Sequence, residues 1–281
     1  MEMLDDFMAA RDDALVGPDW LEAHLDDPDV RVVEVDVNAT AYGDGHIPGA
    51  VLWDIYTDLK DADYRLVDDD AFARLVARSG IDSDTVVVLY GYGPAIGFWA
   101  LARSGHPRVR MLDATRASWQ SDGRPWTTAT TEPVPRSVPR PLPRPDARVR
   151  ASRADVERVI GDPGVVVLDV RSEAEYRGER FWPSGASEPG GRAGHVPGAV
   201  HLPCDTLYGP DGRFRSTDEL REVVEPLGLR AGTDVITYCT IGARACAAWF
   251  VLAVLLRHER TRVYDGSWAE WGRTPTTPVE R

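Results

Sequence analysis

Cys239 follows the apolar run Val235-Ile236-Thr237-Tyr238 and opens the loop Cys239-Thr240-Ile241-Gly242-Ala243-Arg244, which leads into the apolar stretch Ala245–Leu256. This order reads as a buried strand, a tight loop and a helix. The sulfur then sits at the carboxyl end of the strand, near a helix start whose free N–H groups favour negative charge. A thiol so placed ionises more readily, and the thiolate is the nucleophilic form. Gly242 lacks a Cβ, so backbone N–H groups can converge on the sulfur. Arg244 adds a fixed cation suited to an anionic donor or a persulfide. Cys239 is therefore the candidate catalytic residue, with Thr240, Ile241, Gly242, Ala243 and Arg244 as candidate substrate-binding positions. The competing reading of Cys239 is a buried, inert strand-end cysteine; the glycine and arginine around it favour the nucleophile.

The other two cysteines read as packing residues: Cys246 lies on the apolar helix and Cys204 follows Leu202-Pro203 at a strand end. Three cysteines do not make a disulfide framework, and without a Cys-x-x-Cys pair no structural zinc is expected. No metal or organic cofactor is called for. Hydrophobic content of 43% with 27% charged residues is the mix of a soluble globular protein. The formal net charge of -13 argues against nucleic acid and anionic membranes as partners, because both need a basic footprint. It also requires any anionic substrate to find a local positive site. The acidic start Met1-Glu2-Met3-Leu4-Asp5-Asp6 has no secretory apolar core, and Ala245–Leu256 is well short of the ~18 residues of a membrane span. A reducing, cytoplasmic location is the expectation.

The chain repeats itself. Gly45-His46-Ile47-Pro48-Gly49-Ala50-Val51 recurs as Gly194-His195-Val196-Pro197-Gly198-Ala199-Val200. Upstream, Val33–Val37 matches Val166–Val170, with Asp36 against Asp169; downstream, Asp84–Tyr90 matches Thr233–Tyr238; near the ends, Asp113–Trp119 corresponds to Asp265–Trp271. Matches in one order indicate two copies of one domain, at 12–127 and 147–275. The stretch 128–146 between them is proline-rich, and proline there prevents sheet pairing or helix continuation, so an extended linker is expected. In each copy short β-branched runs alternate with helical patterns such as Asp70–Ser79, Gly97–Ser104, Thr217–Leu227 and Ala245–Leu256. That alternation predicts an α/β fold, a buried and mainly parallel sheet with helices on both faces. Ligands in such sheets bind beyond the strands' carboxyl ends, where Cys239 falls.

With the doubled Gly-His-Ile/Val-Pro-Gly-Ala, Asp169-Val170-Arg171, Tyr238-Cys239 and Val263-Tyr264-Asp265-Gly266-Ser267-Trp268-Ala269-Glu270-Trp271, the chain resembles tandem rhodanese-type sulfurtransferases, most of all the bacterial thiosulfate enzymes. The resemblance implies two rhodanese-like domains with the active loop in the second. Cys239 would take a sulfane sulfur from a small anionic donor, hold it as a persulfide and pass it to a thiophilic acceptor such as cyanide, a thiol or a thiol protein. Gly91 stands where Cys239 does in the other copy, so the first domain would be catalytically inactive. Asp169 and Arg171 would support the loop from beneath. The loop departs from those of mammalian thiosulfate and of mercaptopyruvate enzymes, and a substrate-binding arginine of the eukaryotic enzymes falls on Glu175; Arg177, Arg180 and Arg192 are candidate replacements. A 3-mercaptopyruvate sulfurtransferase and a non-catalytic sulfur carrier are the alternatives. A cysteine phosphatase would put five residues between nucleophile and arginine, whereas four separate Cys239 from Arg244, which suits a single sulfur atom better. The glycine-rich insertion Gly178–Gly194, present only in the second copy, reads equally as a flap or as a surface loop.

Overall fold

The structure is a computed structural model describing residues 14–131, 146–230 and 232–281. Most of the expected linker, at 132–145, and the acidic start lie outside the described residues. The chain forms two compact units, Met1–Asp61 with Val67–Asp146 and Ala62–Leu66 with Ala147–Arg281. Ala62–Leu66 groups with the second unit, where the Leu66 N–H donates to the Asp265 carboxylate at 2.5 Å.

Each unit is built on a five-stranded sheet. In the first, β1 (Leu15–Val16), β2 (Val30–Asp36), β3 (Val51–Asp54), β4 (Val86–Gly91) and β5 (Val109–Leu112) lie in the order β1-β5-β4-β2-β3. In the second, β6 (Arg150–Ala151), β7 (Val165–Asp169), β8 (Val200–His201), β9 (Asp234–Tyr238) and β10 (Thr261–Tyr264) lie in the order β6-β10-β9-β7-β8. All pairings within the two sheets are parallel. The central strands are apolar on both faces because helices cover both, as the α/β reading required. Helix starts follow local chemistry: Pro94 opens Pro94–Arg103, and capping boxes at Ser152, Ser172 and Ser216 open three helices of the second unit. Among the described residues no helix is long and apolar enough to cross a membrane.

Two expectations change. The stretch Ala245–Leu256 is not one regular helix: α-helix runs over Ala243–Trp249 and a wider π-helical turn over Phe250–Leu255. The alignment of the two copies also shifts. Tyr90 faces Glu34 across β4–β2, while Tyr238 faces Asp169 across β9–β7. Glu34, not Asp36, is thus the counterpart of Asp169. A shift of two residues keeps the same side chains on the same face, so strand patterning alone cannot separate the two alignments.

The first unit carries a buried histidine with no role at the site. His106 Nε2 donates to the Asp82 carbonyl at 2.9 Å while Nδ1 accepts the Arg108 N–H at 3.2 Å, so the neutral ring is fully satisfied. Burial holds its pKa down to about 4, from 6.5 in the unfolded chain. Between those values the unfolded state binds more protons, so stability falls as the pH drops through that window, by about 3 kcal/mol in all. Urea midpoints of the wild type should follow this slope, and His106→Gln should flatten it.

Candidate active site

Cys239 lies one residue past β9, almost fully buried. Its Sγ accepts the Gly242 N–H at 3.1 Å. Gly242 makes this possible by adopting φ +92, a conformation in which a side chain would be strained, at the cap of the helix Ala243–Trp249. A second element secures the loop from the other side. The Cys239 N–H donates to Ser267 Oγ at 3.1 Å, and the N–H groups of Trp268 and Ala269 donate to the carbonyls of Cys239 and Thr240 at 2.9 and 2.8 Å. Ser267 Oγ in turn donates to the Tyr264 carbonyl at 2.8 Å. The helix start Ser267–Trp271 is therefore a buckle on the loop, with Ser267 held at φ +52. Sequence reading used Asp265–Trp271 as a repeat match and missed Ser267; its pairing with Thr115 in that repeat was the available signal.

Asp169 and Arg171 lie where the loop needs a brace. Both are fully buried and joined by an ion pair at 2.6 Å. The Tyr238 hydroxyl donates to Asp169 at 2.5 Å and accepts the Val196 N–H at 3.1 Å. The Arg171 guanidinium lies 4.5 Å from the Trp268 ring centroid and donates to the Gly194 carbonyl at 2.7 Å. This network joins β7, β9, the Gly194–Ala199 turn and the Ser267–Trp271 helix directly under Cys239.

Arg244 does not stand alone beside the sulfur. Its two terminal nitrogens donate to the Glu175 carboxylate at 2.9 and 2.8 Å, and one also donates to Thr240 Oγ1 at 2.7 Å. The Thr240 hydroxyl donates to Glu175 at 2.5 Å. Burial would raise the Glu175 pKa, but Arg244, Thr240 and Ser172 outweigh it and hold it at about 2. Burial opposes the charge on Arg244, and the Glu175 carboxylate outweighs it and holds the guanidinium charged. Ile241 and Ala243 are half-buried.

The other candidates are engaged elsewhere. Arg192 donates to the Trp271 and Thr277 carbonyls, and Arg177 pairs with Glu173 at the surface. The insertion Gly178–Gly194 is anchored: Phe181 is buried with Tyr238, Trp268 and Trp271, and Trp182 packs on Tyr64 at 5.5 Å. Burial pushes the Cys204 thiol up to about 12, so it stays protonated at neutral pH. Cys246 is fully buried. His46 and His195 stack on Tyr42 and Tyr176 and each donates Nδ1–H to that tyrosine's carbonyl, a structural role repeated in both copies. Among the described residues no three His, Cys, Asp or Glu side chains gather as a metal site requires.

In the first unit the corresponding loop has no cysteine and a different geometry. Gly91 has φ +112, and a Cβ on it would lie 2.7 Å from the Val35 carbonyl oxygen. The loop is one residue shorter before its helix, and the N–H of its capping glycine, Gly93, donates to Val35 at 3.0 Å instead. Gly91→Cys should therefore destabilise the first domain by about 1–3 kcal/mol and, in a chain lacking Cys239, should not load sulfur; intact mass after donor treatment checks this.

The rhodanese-like domain pattern matches residues 17–122 and 152–274. The chain is 41% identical over 281 residues to the Sulfur carrier protein TtuD of Thermus thermophilus, covering 97% of this chain and 98% of that one. It is 38% identical over 277 residues to the "Putative thiosulfate sulfurtransferase" of Saccharopolyspora erythraea, covering 96% and 97%. Its fold superposes with TM-score 0.77 on the 3-mercaptopyruvate sulfurtransferase SseA of Escherichia coli, at 26% identity, covering 91% of this chain and 98% of that chain. Two matched copies, full-length similarity and a shared doubled α/β architecture have one reading: this chain belongs to the rhodanese-like domain family.

Proposed function

We propose that the protein is a sulfurtransferase that loads a sulfane sulfur onto Cys239 and delivers it to a thiophilic acceptor. The observation that carries this is the buried Cys239 sulfur receiving the Gly242 N–H at the carboxyl end of β9, in the one copy whose loop keeps a cysteine. With thiosulfate as donor, the Cys239 thiolate attacks the outer sulfur. The new S–S bond forms as the bond to the sulfonate sulfur breaks, and sulfite leaves with the electron pair. An acceptor nucleophile, cyanide or a thiol, then takes the outer sulfur and returns the thiolate. The Gly242 N–H stabilises the sulfur anion in both steps, and the chemistry is ping-pong.

Thr240, Ile241, Gly242, Ala243 and Arg244 form the donor-facing loop in this reading, and Asp169 and Arg171 support it. The names of the relatives keep two further readings in play, a mercaptopyruvate donor and a carrier that hands sulfur to a thiol protein. Three buried cysteines, none of them in a disulfide, are in keeping with a reducing, cytoplasmic setting. Intact mass of the pure protein after thiosulfate, then after cyanide, tests the proposal. Gain of one sulfur on Cys239, lost to cyanide with thiocyanate appearing over many turnovers, supports the enzyme. Loading without turnover favours the carrier, and loading only from mercaptopyruvate changes the donor.

A further inference from the structure

The loop's sole basic side chain, Arg244, is clamped by a carboxylate that is itself fully buried and fixed from three sides. Glu175 accepts from both terminal nitrogens of Arg244 at 2.8 and 2.9 Å, from the Thr240 hydroxyl at 2.5 Å, and from the Ser172 hydroxyl and N–H at 2.7 and 3.1 Å. The two charges cancel beside the nucleophile. The Thr240 proton is committed to Glu175 as well, so it is not offered to a donor. The whole chain adds a formal charge of -13, which repels anions. A thiolate attacking thiosulfate gathers three negative charges, and the described loop sets against them a backbone N–H and an already neutralised guanidinium.

We infer that Glu175 is a specificity-determining residue that steers the loop away from dianionic donors and toward hydropersulfides, R–S–SH; the inference rests on Cys239 being the sulfur acceptor. With a hydropersulfide the balance is less demanding. The Cys239 thiolate attacks the outer sulfur, the Sγ–S bond forms, the donor S–S bond breaks, and one thiolate leaves with the electron pair. The proton stays on the transferred sulfur. One negative charge enters the step and one leaves. Glu175 does not touch the reacting atoms; it acts through Arg244 and Thr240 as a positioning residue.

The test follows loading of Cys239 by intact mass, at varied donor concentration, with thiosulfate and with cysteine hydropersulfide. Inorganic sulfate protection of Cys239 against iodoacetamide is a readout independent of turnover. In the wild type, loading from hydropersulfide is expected to exceed that from thiosulfate in second-order rate, and millimolar sulfate should give no protection. In Glu175→Gln, which keeps the side chain's shape but frees the Arg244 charge, the ratio of thiosulfate to hydropersulfide loading should rise about tenfold or more, through the thiosulfate KM. Sulfate should now protect. An unchanged ratio without sulfate protection overturns the inference, as does an equal loss with both donors, which marks Glu175 as a structural brace only. The wild-type arm stands even if the variant fails to fold: preference for thiosulfate, or sulfate protection of wild-type Cys239, also overturns it. Wild-type protein that loads from neither donor instead removes the sulfurtransferase reading itself.

Discussion

Cys239→Ser is expected to leave the fold standing and to remove sulfur loading. Serine keeps the acceptor for the Gly242 N–H, and the N–H and carbonyl of residue 239 keep their bonds to Ser267 and Trp268. The change in stability should stay within about 1 kcal/mol. The hydroxyl, however, is almost wholly protonated at neutral pH and is a poor partner for sulfane sulfur, so turnover should fall by roughly 10⁴-fold or more. Intact mass after donor treatment and thiocyanate production report the two halves separately. The remaining thiols are an internal control: Cys204 is held protonated and Cys246 is sealed in the helix. Sulfur appearing on either in the variant would move the nucleophile away from Cys239.

The second large effect concerns the brace under the loop. Asp169→Ala strands the Arg171 guanidinium in a site with no solvent exposure and leaves the Tyr238 hydroxyl without its acceptor. Breaking a buried pair on one side typically costs about 3–5 kcal/mol. That is a large share of the roughly 5–15 kcal/mol that holds a domain folded. Urea unfolding should show the loss directly. The double variant Asp169→Ala/Arg171→Met removes the stranded charge and should recover a substantial part of it. A single variant as stable as the wild type would mean that the pair is not what holds β7 and β9 in register below the nucleophile.

Glu175 was legible in the sequence only as the place where an expected arginine is missing. Its partner Arg244 lies 69 residues along the chain, and no local pattern joins them. Ser267, 28 residues from Cys239, was hidden in the same way. The Arg171 contact to the Gly194 carbonyl shows how far such placement can drift between two copies. In the first unit the matching carbonyl, Gly45, is served by Arg116 from a different element, the helix Arg116–Ser121. Each copy thus puts an arginine on the same turn, reached along different chain paths.

By itself the sequence determined what is local or periodic. β-branched runs alternating with helical patterns required parallel sheets buried between helices, and the doubled Gly-His-x-Pro-Gly-Ala turn required two copies. The strand–Cys239–Gly242–helix order put a thiol where an N–H could meet it, and Gly91 left the other copy without a cysteine at the matching place. Only the tertiary structure decided the register that sets Glu34 against Asp169, the Ser267 buckle, and the Glu175 carboxylate on Arg244. The reason is physical: strand side chains repeat every two residues and so conceal a two-residue shift, while the charge a loop presents depends on side chains folded in from distant parts of the chain.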